Sequence, residues 1–189
     1  MPTLTSPPLS DDLIRLRLWR EDDADAQLAG LTDPVFRRFS DGVPADRAAV
    51  VGRIRAIERL REQGTAIHWA VVVADEAGDA SAAAPLLGEV SLSGIDQRQR
   101  RASMGYWLTP DARGRGVATR AVRLVAGWAF TGLGLARLEL TCGPDNVASQ
   151  RVAERCGFQR EGLLRSHQTF QGGRRDSPVY GLLPHELTR

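Results

Sequence analysis

Apolar and charged positions alternate through "LIRLRLW", residues 13–19, which predicts a half-buried edge strand. The run "EDDADAQLAGL", residues 21–31, predicts a helix with its carboxylates at the positive end. Within residues 46–63, Val50, Ile54, Ile57 and Leu60 recur at helical intervals, and Gly64 follows them as a C-terminal cap would. "AIHWAVVVA" and "PLLGEVSLSGI" predict two strands, and the small-residue stretch "DEAGDASAAA" between them predicts a flexible hairpin connection. Another strand, "RASMGYWL", ends at Thr109 and Pro110 because proline supplies no ladder donor.

Further on, Val117, Ala121, Leu124, Val125, Trp128 and Ala129 share one side of a helix that runs to Gly132 and Gly134. "ARLELTC" predicts a strand, "NVASQRVAERCGF" a short helix closed by Gly157, and "FQREGLLRSHQTF" and "SPVYGLL" two strands around a turn at Gly172 and Gly173. The order is strand, two helices, three strands, helix, strand, helix and two strands, an α+β arrangement whose strands read as a meander rather than repeated βαβ units. A single domain over residues 13–189 is expected behind a flexible Pro/Ser-rich leader, residues 1–12.

A chain of 189 residues, 42% hydrophobic and 25% charged, suits one sizeable core. It has no long apolar run and no basic, then apolar, N-terminus, so the expectation is a cytoplasmic protein without membrane partners. Cys142 and Cys156 fit small buried thiols better than a disulfide or zinc framework. All 25 basic residues are arginine, which excludes a Walker-type phosphate loop and Schiff-base chemistry. With a net charge of +2 and interspersed signs, no general nucleic-acid binding is expected, and His68, His167 and His185 show no metal-ligand spacing.

The stretch "ARGRGVATRAV" adds chemistry to this outline, since a glycine-rich loop between a strand and a helix makes an anion site from unpaired N–H groups. Gly114 and Gly116 let backbone approach a phosphate, and Arg113 or Arg115 can add charge-assisted bonds. A dinucleotide-binding oxidoreductase is a remote alternative, because the third glycine of that fingerprint is missing and Glu139 falls inside a strand.

"YWLTPDARGRGVATRAV" resembles the acetyl-CoA motif of the Gcn5-related N-acetyltransferase (GNAT) superfamily: Gln or Arg, two residues, Gly, one residue, then Gly or Ala, filled here by Arg113, Gly116 and Ala118. "NVASQRVAERCGFQREG" resembles the superfamily's second motif, and "GGRRDSPVYGLL" is similar to the closing strands of its RimJ/RimL-like ribosomal-protein branch. The resemblance implies a mixed sheet of about seven strands with about four flanking helices, the fourth and fifth strands being parallel and splayed. It also implies acetyl-CoA as co-substrate and no metal. By the same resemblance Trp107 and Leu108 border the splayed gap, where backbone groups hold the pantetheine arm. The backbone of Arg113, Gly114, Arg115, Gly116, Val117 and Ala118 would cradle the pyrophosphate, and Asn146 and Ser149 would lie at the acetyl end.

The implied activity is acetyl transfer to a primary amine, the α-amine of a peptide or a small molecule, by direct attack on the thioester. Ser149 is the candidate donor of a proton to the thiolate, although both it and Asn146 also suit helix capping. Where many relatives of this branch carry a strand glutamate the chain has Ser103, so the candidate base becomes Glu89 acting through water, or His167, unless these simply face solvent. An alternative is an acyl-CoA- or acyl-RNA-binding module of the same fold without turnover. The acceptor surface would be built by the first two helices and the loops around "DQRQRR" and "GGRRD", and dimerisation through the late strands stays open.

Overall fold

The computed structural model of the protein describes residues 3–74 and 84–188, so the expected hairpin connection falls outside the described residues except for Ala84. Its strands are β1 (Leu9–Ser10), β2 (Ile14–Leu18), β3 (Ile67–Val73), β4 (Leu86–Asp96), β5 (Arg101–Leu108), β6 (Arg137–Thr141), β7 (Gln159–Phe170) and β8 (Gly173–Leu182). They form one sheet in the order β1-β2-β3-β4-β5-β6-β8-β7, antiparallel throughout except between β5 and β6. The helices are α1 (Ala24–Thr32), α2 (Pro34–Phe39), α3 (Arg47–Glu62), α4 (Val117–Thr131) and α5 (Val147–Arg155). The mixed sheet with a single parallel pair in the expected place is therefore present, with one strand and one helix more than the periodicity announced.

Both additions have local causes. Helix α2 starts at Pro34, whose missing N–H costs nothing in a first turn, and Asp33 caps it by accepting from the Phe36 N–H at 3.0 Å. Strand β1 comes from the leader, which is not free: Leu4 is buried, Leu9 pairs with Leu16, and the Arg61 guanidinium donates to the Leu4 carbonyl at 2.6 Å. The acidic run splits into a 3-10 turn, Glu21–Asp23, followed by α1. In α3, Asp46 caps the first turn through the Ala49 N–H, and Val50, Ile54 and Ile57 are buried while Leu60 is exposed.

The strand period of two sorts the sheet into two faces. Ile67, Trp69, Val71, Val90, Leu92 and Met104 enter the main core beneath α4, where the Trp128 ring stands edge-on to Trp69 at 5.5 Å. All the expected core positions of α4 are buried except Leu124, which is partly buried against the same cluster. Helices α1 and α3 pack on the opposite face, against β4 and β3. Among the described residues, the sheet opens between β5 and β6, which pair over three positions only.

Candidate active site

Strands β5 and β6 pair in parallel only at Arg101 with Arg137, Ala102 with Leu138 and Ser103 with Glu139. Past Ser103 they diverge, β5 continuing with β4 as far as Leu108 and β6 with β8 as far as Thr141. One edge of residues 104–108 thus faces a gap with no strand beside it, leaving backbone groups that an extended amide-bearing ligand can satisfy. A cavity of about 570 Å³ occupies the gap. Its wall includes Phe36 and Phe39 of α2, Tyr106 and Trp107 of β5, and Ser149 of α5, so it opens to both faces of the sheet.

At one end lies the start of α4. Gly116 has φ 79° and Gly114 φ 73°, left-handed values that a side-chain-bearing residue adopts only with strain. A Cβ at either position would meet nothing within 4 Å, so conformation rather than crowding demands glycine. No side chain caps this helix, and its first turn begins with the Arg120 N–H on the Gly116 carbonyl at 3.1 Å. The N–H groups of Val117, Ala118 and Thr119 consequently have no helical acceptor, and they carry the positive end of the macrodipole into the cavity.

The two arginines of the motif behave differently. Arg113 lines the cavity but donates to Asp33 at 2.5 Å and to the Leu108 carbonyl at 3.0 Å, tying α2 to the end of β5. Burial opposes ionisation of Asp33, yet the bonds from Arg113 and the Phe36 N–H hold its carboxyl below the usual range. Arg115 is exposed and turns back toward the Asp111 carbonyl at 3.5 Å, outside the cavity wall.

At the other end, Asn146 caps α5 by accepting from the Ser149 N–H at 3.1 Å. The Ser149 hydroxyl meets the Tyr106 hydroxyl at 2.7 Å, inside the cavity wall. Burial pushes the Tyr106 phenol well above its ordinary value, so it stays protonated. Trp107 turns its ring to the α2 face, stacked on Trp19 at 6.3 Å and edge-on to Phe36 at 6.0 Å. Its indole N–H has no hydrogen-bond partner among the described residues.

Glu89 is not brought to this site. It sits across from Trp107 in the β4–β5 register, only 4% exposed, and does not line the cavity. Arg53 donates to both of its oxygens, at 3.1 and 2.8 Å, and His68 Nδ1 lies 3.1 Å from one of them. Burial works against the charged form, but His68 and Arg53 overcome it and hold the carboxyl below its usual range. The candidate base is therefore neither solvent-facing nor poised to take a proton from an amine in the gap. His167 is exposed on β7, and it too is absent from the cavity wall. Among the described residues lining the cavity there is no carboxylate and no imidazole.

Tyr106, Arg151 and Arg155 also line the cavity and are not among the site residues expected from the sequence. The signal for the arginines was their four-residue spacing, which puts both on one side of the helix that carries Ser149.

Residues 14–159 match the family described as the acetyltransferase (GNAT) domain. Over 94% of the chain and 97% of the relative, the sequence is 28% identical to "Uncharacterized N-acetyltransferase YoaA" of Bacillus subtilis. It is 34% identical to "Probable N-acetyltransferase YjcK" of the same species, over 78% of the chain and 80% of the relative. Among solved structures, Mycobacterium smegmatis RimJ in complex with CoA-disulfide superimposes with a TM-score of 0.82 at 23% identity, covering 97% of this chain and 88% of that one.

Proposed function

The chain belongs to the acetyltransferase (GNAT) family, and from that membership we propose that it moves an acetyl group from acetyl-CoA to the α-amine of a peptide or small molecule. The observation that carries the proposal is one cavity joining an uncapped helix start, an unpaired strand edge and a hydroxyl pair, with no acidic side chain in its described wall. These features fit the donor. The N–H groups of Val117, Ala118 and Thr119 suit a pyrophosphate, with the backbone of Gly114 and Gly116 alongside, and the open edge of residues 104–108 suits the amides of a pantetheine arm. When bound, the thioester supplies the electrophilic carbonyl.

The chain's own residues then have separable roles. Either hydroxyl of the Tyr106–Ser149 pair can be the donor; with Tyr106 donating, the Ser149 proton is left for the departing sulfur, and the proton shed by the acylated amine restores it. With no carboxylate or imidazole in the described wall, the acceptor must arrive neutral. An α-amine with pKa near 8 is roughly one-tenth neutral at pH 7, whereas a lysine side chain is neutral about one time in two thousand. The chemistry of the wall therefore favours α-amines.

A thiol-release assay with acetyl-CoA and matched peptides, one with a free α-amine and one with only a lysine amine, tests the reading. Faster release with the α-amine peptide, rising with pH toward 8, is the expected result; equal or lysine-preferring release contradicts it. A second reading, an acyl-CoA-binding module without turnover, draws on the same lack of a base in the described wall. It predicts binding of acetyl-CoA with no thiol release for any amine.

A further inference from the structure

We infer that Arg151 and Arg155 bind the 3′-phosphate of coenzyme A, so that the protein distinguishes the coenzyme from its dephospho form. The inference rests on the acetyl-CoA reading above. Helix α5 spans the length of the site: at its start Ser149 meets Tyr106, and just past its end the Cys156 thiol points to the carbonyl of Thr119, in the first turn of α4, at 3.6 Å. One end of α5 thus marks the hydroxyl pair and the other the helix start suited to phosphate. Arg151 and Arg155 lie one turn apart along it, and both line the cavity.

The other arginines near the α4 start are already neutralised or turned away. Arg113 is paired with Asp33, Arg120 with both Asp11 and Asp12, and Arg115 faces the Asp111 carbonyl. Arg123 donates to the Arg155 carbonyl at 2.7 Å and to Thr188, fixing the end of α5 to α4. Arg151 and Arg155 have no acidic partner among the described residues, so the wall holds two uncompensated cations and no described anion.

Helix-end N–H groups suit the pyrophosphate, whose charge is spread over two linked groups. The 3′-phosphate is a monoester with about two negative charges at neutral pH, and it needs full cations. Two guanidiniums on one helix side match it in charge and in fork geometry. The pantetheine arm is uncharged and gives them no purpose at the thioester end.

Calorimetry with coenzyme A and dephospho-coenzyme A, on the native chain and on the Arg151→Gln/Arg155→Gln variant, tests the assignment. The native chain should bind coenzyme A about tenfold more tightly, and the variant should bind both ligands with the weaker affinity. The native preference should also shrink as sodium chloride is raised, a result that needs no variant to fold. Equal native affinity for the two ligands overturns the assignment. So does a variant that weakens both equally, which would put the arginines on the pyrophosphate, or one that keeps the native preference. If the native chain binds neither ligand, the acetyl-CoA reading itself falls.

Discussion

The hydroxyl oxygens of Tyr106 and Ser149 lie 2.7 Å apart, one on the strand beside the gap and the other in the first turn of α5. Both groups can donate and accept, but a neutral phenol that donates to Ser149 leaves the serine proton free to face the cavity. Tyr106→Phe should lower kcat about tenfold without changing acetyl-CoA affinity, and Ser149→Ala should lower it about a hundredfold. Steady-state kinetics beside calorimetry reads both. Because burial holds the phenol protonated, the native rate should show no alkaline fall near the ordinary tyrosine pKa of 10.0. A fall there that Tyr106→Phe abolishes would make the phenol, rather than the serine, the titrating donor.

Gly116 needs its left-handed backbone but has open space around it. Alanine there brings no collision, so its cost is the left-handed strain, about 1–2 kcal/mol. For a chain of this size that lowers Tm by a few degrees. If the chain instead relaxes the turn, the N–H groups of Val117 and Ala118 lose their aim, and acetyl-CoA affinity should fall about tenfold. A Gly116→Ala variant of unchanged Tm and unchanged affinity would contradict this account of the turn.

Glu89 gives the opposite signature. Replacing it with glutamine leaves Arg53 and His68 without their buried anion, at a cost of about 3 kcal/mol, while turnover per folded molecule should not change. The native carboxyl is held below its usual range, so its stabilisation is present above the unfolded pKa and is lost as pH falls through the folded value. Thermal melts from pH 7 downward should show native and variant converging at acidic pH. A native rate that falls in acid with a Glu89-dependent pKa would restore the catalytic role.

How much of this the chain announced follows from where each interaction sits. Helix α4 was legible because its apolar spacing and flanking glycines are local, and the gap was legible through the motif that resembles a known family. The six residues of α2 are too short for a periodic face, and their local sign was the Asp33, Pro34 pair. Glu89 was misplaced because its partners, Arg53 and His68, lie on other elements, 36 and 21 residues away. Arg151 and Arg155 were passed over because helix rotation, set by packing, decides which charges meet a cavity.

Arg175 stands beside Phe39, a residue of the cavity wall on α2. Its guanidinium lies 5.8 Å from the Phe39 ring and 4.6 Å from the Phe170 ring, and donates to Asp145 at 2.8 Å. It also lies so close to Gly143 that a Cβ there would fall 1.2 Å from its nitrogen. These contacts join α2, beside the wall residue Phe39, to the β7–β8 hairpin, whose "GGRRD" turn is expected at the acceptor surface. Each aromatic contact contributes about 0.5–1 kcal/mol, enough to hold the α2 side of the cavity but not the whole fold. Arg175→Ala should therefore raise the acceptor KM about three- to tenfold while leaving acetyl-CoA affinity as it was. Gly143→Ala, which displaces the same guanidinium without removing it, should do likewise. If either variant weakens acetyl-CoA and spares the acceptor, this side of the cavity serves the donor rather than the amine.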